Sequence, residues 1–225
     1  MLNPLELTGR AMTHVREIAD PKCVLHPHAV EALLAMRAAA RLADIQLEVV
    51  SGFRDFKRQV AIWTAKFNGQ RRLLDRAGRE LRREALDEAA LVDAILIWSA
   101  LPGASRHHWG SELDVIDAAQ LGAGNRPELV PEEFAPGGCF ARLHTWLDAN
   151  MRSFGFFRPY TTDRGGVQPE PWHLSFAPVS QPALRELSLE VLREALLAAD
   201  MPGQGAVLER LPELYQRYVI AVDLP

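Results

Sequence analysis

Ser105-Arg106-His107-His108-Trp109-Gly110-Ser111-Glu112-Leu113-Asp114 is the stretch around which the chain is organised, and Glu170-Pro171-Trp172-His173 answers it much later. A catalytic zinc takes three nitrogen or oxygen ligands from the protein and keeps a fourth position open. His107, Asp114 and His173 offer two nitrogens and one carboxylate, each at the edge of a strand candidate. Ligands so far apart in sequence suit a site assembled by a sheet, unlike the helix-borne His-Glu-x-x-His arrangement, which is absent. Glu170, three residues before His173, is placed to act as a general base on the attacking water.

Working outward, Leu113 to Ile116 reads as a short strand that fixes Asp114, and Leu101-Pro102-Gly103-Ala104 as a turn that delivers Ser105 and His107. Upstream, Ile45 to Val50 alternates apolar and polar residues as a half-buried strand does. Phe56, Val60, Trp63 and Phe67 then fall on one helical face. Arg54 sits between that strand end and that helix start, where it can stabilise a developing oxyanion or grip a carboxylate. His28 to Ala43 is a further helix, and Pro27 marks its start, so His26-Pro27-His28 reads as a helix entry and not a metal pair.

Elsewhere the expectations are coarser. Residues 1 to 27 read as an entry segment with a short helix around Thr13 to Ala19. Arg71 to Trp98 reads as helical, its basic run from Arg71 to Arg83 being a solvated face interleaved with Asp75, Glu80 and Glu84. Residues 118 to 138 read as a loop or lid, Phe140 to Met151 as a helix, and Glu170 to Phe176 as a strand. After Pro178 two amphipathic helices follow, without catalytic residue types. The order of elements predicts an α+β fold, with a small antiparallel sheet carrying the metal site and helices packed around it. Residues 1–180 would form the site-bearing domain and 181–225 a C-terminal helical extension packed on it.

Composition sets the outer limits. With 225 residues the chain can bury a sizeable core, and a formal charge of -4 does not suit nucleic-acid binding. Cys23 and Cys139 allow at most one bridge. No stretch reaches the roughly 18 apolar residues of a membrane span. The first residues have neither a basic leader nor an apolar run, which points to a cytoplasmic chain, or to a periplasmic or cell-wall one if a signal has been trimmed.

Ser51-Gly52-Phe53-Arg54 with Gln59, Ser105-x-His107-x-x-Gly110-x-x-x-Asp114 and Glu170-x-Trp172-His173 resemble the three motifs of the zinc D-alanyl-D-alanine carboxypeptidases and dipeptidases of the VanY and VanX type, whose fold hedgehog signalling domains share. The resemblance spans roughly residues 30 to 180. It implies a zinc peptidase acting on peptidoglycan stem peptides, with His107, Asp114 and His173 on Zn2+, Glu170 as base and Arg54 assisting the transition state. Gln59, Ser105 and Trp172 would help hold the substrate; His108, which directly follows a ligand, would either contact the substrate or support the site from behind. Removal of a terminal D-alanine is the leading activity. An endopeptidase, a D-Ala-D-Ala dipeptidase and a non-catalytic metal-binding module are the rivals. The segment from Arg54 to Ser105 is longer than the resemblance leads one to expect, so the rim of the cleft would be remodelled.

Overall fold

A computed structural model describes residues 1–122 and 125–225. The chain enters through a single helical turn, α1 (Pro4–Leu7), capped by Asn3, whose side chain accepts from the Leu5 and Glu6 backbone N–H groups. A hairpin follows, β1 (Arg16–Ala19) against β2 (Lys22–Leu25), in place of the helix expected at Thr13 to Ala19. So short a segment, stopped by Pro21, cannot hold a helix by itself, whereas pairing satisfies its backbone. His26 caps α2 (Pro27–Leu42), its Nδ1 accepting from the His28 N–H at 3.2 Å, which makes the His26-Pro27-His28 run a helix start. Then come β3 (Leu47–Ser51) and α3 (Phe56–Phe67), capped by Asp55.

Arg71 to Trp98 is not one helix. Gly69, at φ 73°, turns the chain out of α3, and β4 (Leu73–Leu74) pairs with β5 (Glu80–Leu81). Asp75 organises the tip of this hairpin by accepting from the Ala77 and Arg79 N–H groups. Charges at helical spacing also suit a polar hairpin, and here the Asp75–Gly78 turn decides the matter. A 3-10 turn at Arg83–Ala85 leads to α4 (Glu88–Leu96), the one part of this expected helix that forms as such.

The sheet that carries the site adds β6 (Glu112–Asp117) to β3. After α5 (Pro131–Phe134) and α6 (Ala141–Asn150) it gains β7 (Phe156–Phe157) and β8 (His173–Phe176). The strand order is β3-β6-β8-β7, every neighbouring pair antiparallel. β6 starts one residue earlier than its apolar run suggests, and β8 starts at His173, so Glu170 lies in the turn before the strand. The expected lid at 118 to 138 contains a 3-10 turn at Ala118–Gln120 and helix α5; residues 123 and 124 of that stretch lie outside the described residues.

Two cores flank the site. Leu33 and Met36 of α2, Leu143 and Leu147 of α6, and Leu113, Val115 and Leu174 of the sheet form one. The other joins Trp63 of α3 and Val92 and Ile95 of α4 to the C-terminal helices α7 (Ala177–Glu186), α8 (Leu189–Leu197), α9 (Gln204–Glu209) and α10 (Leu211–Tyr215). Trp63 adds a polar tie, its Nε1–H donating to the Pro202 carbonyl at 2.9 Å. The C-terminal segment thus holds four short α-helices and a π-helical turn at Gln216–Ile220 where periodicity gives two helices, and these brace α3 and α4 behind the site. The fold is α+β. Cys23 and Cys139 are both free. Among the described residues no helix is long and apolar enough to cross a membrane.

Candidate metal centre

Asp114 and His173 are register partners across β6 and β8, so the ladder itself brings them together. His107 comes from a 3-10 turn, Arg106–Trp109, which ends at Gly110 with φ 67°. That glycine is demanded twice: its φ is left-handed, and an added Cβ would lie 2.5 Å from Val15 Cγ1 and 2.8 Å from the His26 backbone N. The turn swings His107 Nε2 to 3.5 Å from Asp114 Oδ2, while His173 Nδ1 lies 3.2 Å from Asp114 Oδ1. All three residues are buried, and one ligand atom from each lies within 4.8 Å of the others.

The ring nitrogens facing away from this point are both engaged. His107 Nδ1–H donates to the Gly52 carbonyl at 2.7 Å, and His173 Nε2–H donates to Glu112 Oε2 at 2.8 Å. The hydrogen-bond network therefore sets opposite tautomers for the neutral rings, which would leave a lone pair on His107 Nε2 and, once His173 gives up its extra proton, on His173 Nδ1. Glu112 was read in the sequence only as part of the motif stretch, without a role. It lies two residues before Asp114, on the same face of a strand, and that spacing was the available signal. Its carboxylate also meets Ser111 Oγ at 2.9 Å, Ser175 Oγ at 2.8 Å and Arg106 Nε at 3.3 Å.

These contacts set the charges. Burial alone would raise the carboxyls of Asp114 and Glu112. His107, His173 and Arg54 instead bring Asp114 down to about 2, and Arg106 and His173 bring Glu112 down to about 2. Burial pushes His107 down to about 3, so it is neutral and available as a ligand. Burial also disfavours charge on His173, but the carboxylates of Asp114, Glu112 and Glu170 around it outweigh burial and, with no metal bound, raise its pKa well above the usual value. Asp114 Oδ1 is buried without a hydrogen-bond donor. A carboxylate oxygen without a good hydrogen bond, facing two imidazole nitrogens in a buried space, is a donor set in which a cation can replace the proton of His173, and two nitrogens with one oxygen suit zinc.

The centre lies in a cleft of about 910 Å³, whose walls include Arg54, Lys66, Ser105, Tyr160, Glu170 and Trp172. Glu170 Oε2 stands 3.3 Å from His173 Nδ1. The turn that holds it is closed by the Glu170 N–H donating to the Tyr160 carbonyl at 2.9 Å and the His173 N–H donating to the Glu170 carbonyl at 3.1 Å. Arg54 is fixed by donation to Gln59 Oε1 at 2.9 Å and to Ser51 Oγ at 3.3 Å. Trp172 is nearly buried and packs on Phe134, with ring centroids 5.8 Å apart. Tyr160, which the sequence did not single out, has its ring 5.2 Å from that of His173, and burial lifts its hydroxyl to about 12.

Two of the expected substrate contacts lie away from the cleft wall. Gln59 is fully buried, accepting from Arg54 and donating from Nε2 to the Ala100 carbonyl at 2.8 Å, so its place is behind Arg54 and not in the cleft wall. His108 is also fully buried. Its Nδ1–H donates to the Arg54 carbonyl at 2.6 Å, its Nε2 accepts from the Gly103 N–H at 3.1 Å, and burial holds its pKa at about 4. Because neighbouring side chains point apart, seating His107 in the cleft turns His108 into the packing beneath Arg54. Ser105 and Trp172 do line the cleft.

Fold and site together place a candidate His-Asp-His metal site on an antiparallel sheet, at the floor of a cleft. The sequence model of the VanY family, described as D-alanyl-D-alanine carboxypeptidase, matches residues 22–179, and the chain belongs to this family. A Haemophilus influenzae protein of uncharacterised function is 32% identical over 122 residues, covering 53% of this chain and 93% of its own length. A D-alanyl-D-alanine carboxypeptidase of Enterococcus faecalis is 27% identical over 141 residues, covering 61% of this chain and 42% of its own length. Among solved structures, VanYB in complex with D-alanine-D-alanine shares the fold at a TM-score of 0.51 and 22% identity, over 83% of this chain and 89% of that one. A mutant VanY D,D-pentapeptidase from a VanB-type resistance cassette, in complex with Zn(II), gives a TM-score of 0.50 at 24% identity, over 81% and 88%.

Proposed function

We propose that the chain is a zinc-dependent peptidase that hydrolyses peptidoglycan stem peptides and removes their terminal D-alanine. The observation that carries this reading is the meeting of His107, Asp114 and His173 within 4.8 Å, with Glu170 3.3 Å from His173 in the same cleft. Family membership supports it, as do two relatives of the same fold, one solved with D-alanine-D-alanine and one with Zn(II).

His107, Asp114 and His173 would hold the zinc, which when bound supplies Lewis acidity and makes water a better nucleophile at neutral pH. Glu170 takes a proton from the attacking water and returns it to the departing amine. Arg54, held by Gln59 and Ser51, directs its guanidinium at the oxygen of the attacked carbonyl, where negative charge develops. The aliphatic and aromatic walls, Trp172 among them, exclude water from the peptide. A cleft of about 910 Å³ has room for a peptide stem, and a free dipeptide would leave most of it to solvent.

Incubating the zinc-loaded protein with a stem pentapeptide and with free D-Ala-D-Ala, followed by mass analysis, separates carboxypeptidase, endopeptidase and dipeptidase. The expected product is the stem tetrapeptide. Glu170→Ala is expected to keep its zinc and lose hydrolysis, while His173→Ala loses the metal. Full activity in the first variant, or an undiminished zinc content in the second, would remove the assignment.

A further inference from the structure

The metal residues form the floor of the cleft, and the wall made by the end of α3 and the β4-β5 hairpin differs in charge. Lys66, in the last turn of α3, and Arg71, just beyond it, line the cleft on the same side as Arg54. A second cavity of about 410 Å³ shares Arg54, Ile62 and Arg71 with the first and is bordered further along by Lys22 and Arg58. A cationic surface thus continues from the cleft past Ile62 and away from the metal centre.

This surface is held in place. The Arg71 N–H donates to the Ala65 carbonyl at 3.2 Å, and the Gln70 N–H to the same oxygen at 2.8 Å, folding the chain back over the end of α3. Arg83 Nε–H donates to the Phe67 carbonyl at 2.6 Å and Trp98 Nε1–H to the Asp75 carbonyl at 3.0 Å, fastening the hairpin to the wall. On that hairpin Arg72 pairs with Glu128 at 3.8 Å and Arg76 with Asp163 at 2.8 Å. Among the described residues neither Lys66 nor Arg71 has a carboxylate within 4.0 Å. Lys66 is half-buried, and burial, opposed by Glu170 and aided by Arg71 and Arg54, lowers its ammonium to about 8. Cations crowded together and partly desolvated, with Glu170 near Lys66 but, among the described residues, no carboxylate in direct ion-pair contact, form a surface that gains by taking up an anion.

Arg54 and the metal centre serve the reacting carbonyl, so this second cationic group addresses a different part of the peptide. We propose that Lys66 and Arg71 form a subsite for a carboxylate carried by a residue upstream of the bond that is cleaved. The proposal rests on the peptidase reading above and adds to it a preference for acidic peptides. It also gives the long segment between Arg54 and Ser105 a purpose, because Arg71 and the hairpin that fixes it belong to that segment.

The test uses three pentapeptides: one with diaminopimelate at the third position, its twin with that free side-chain carboxylate amidated, and a third amidated only at the C-terminus. Binding to the zinc-loaded protein is measured by calorimetry, and turnover separately. The wild-type protein is expected to bind the diaminopimelate peptide about tenfold more tightly than its side-chain amide. The double variant Lys66→Met, Arg71→Gln should erase that difference, leaving the affinity for the side-chain amide within about twofold. The difference should also shrink at high salt, because Arg71 is exposed. Equal wild-type affinities for the two twins would overturn the subsite, as would no binding of either. So would a variant whose losses follow only amidation of the C-terminus, which would assign Lys66 and Arg71 to the terminal carboxylate. Preserved discrimination in binding without turnover of any peptide would instead refute the hydrolytic reading and leave the subsite standing.

Discussion

Glu112 Oε2 accepts the Nε2–H of His173 at 2.8 Å, and the carboxylate that does so has no exposed surface. The bond orients the ring, fixes its tautomer and makes Nδ1 a stronger donor toward a metal. Glu112→Gln keeps the size of the side chain and removes its charge. Zinc affinity is expected to fall by about 10- to 100-fold, measured by competition with a chromophoric chelator. Arg106, 4% exposed, would lose its anionic partner, so stability should fall by about 3 kcal/mol in urea titrations. Unchanged zinc affinity would mean that His173 is oriented by packing alone.

The metal-free protein should lose stability in mild acid. Burial holds His107 at about 3 and His108 at about 4, whereas in the unfolded chain both protonate near the ordinary value of 6.5. Between those limits the unfolded chain binds more protons, so stability falls as the pH falls, by up to about 1.4 kcal/mol per pH unit for each group. Asp114 and Glu112, both lowered to about 2, add to the loss further down, as the pH drops below the usual carboxylate range. His173 has the opposite sign: its pKa is raised, so its contribution is complete below 6.5 and is lost on the alkaline side. Urea midpoints of chelator-treated protein should therefore decline from pH 6.5 to 5, before carboxylates titrate. A flat midpoint over that interval would contradict the buried neutral imidazoles.

The sequence carried the site further than it carried the fold around it. That His107, Asp114, His173, Glu170 and Arg54 would meet in one cleft was legible because metal and acid-base chemistry restricts the residue types that can perform it, and the turns and strand ends that hold them leave local signals. Gln59 and His108 were legible as motif members but not in their direction, since facing into a cleft or behind an arginine depends on packing between elements far apart in the chain. The β4-β5 hairpin was missed because alternating charges satisfy a helix and a polar hairpin equally well until Asp75 closes its turn. The β1-β2 hairpin was missed because four-residue strands have too little periodicity to read and form only through their partners.

Gly110→Ala should be destabilising beyond an ordinary surface change. A left-handed φ of 67° costs a residue with Cβ about 1 to 2 kcal/mol, and the new methyl would press on Val15 and on the His26 backbone. The net loss should reach about 2 kcal/mol or more by chemical denaturation, accompanied by weaker zinc binding because the same turn aims His107. A loss below about 0.5 kcal/mol would show that the turn relaxes freely, contrary to the close backbone approach.

Gln59 should act through Arg54. Its Oε1 accepts from the guanidinium at 2.9 Å while its Nε2 is tied to the Ala100 carbonyl at 2.8 Å, which makes it a buried strut between α3 and the segment leading into the Ser105 turn. Removing the strut leaves Arg54 present but poorly aimed, and a misaimed donor costs most where charge develops in the transition state. Gln59→Ala is therefore expected to lower kcat by about 10- to 100-fold with KM changed little and zinc content unchanged. Arg54→Ala should lower kcat by about 100- to 1000-fold, and adding Gln59→Ala to it should cost little more, since the strut then has nothing to hold. Additive losses in the double variant, or a Gln59→Ala effect confined to KM, would place Gln59 against the substrate and not behind the arginine.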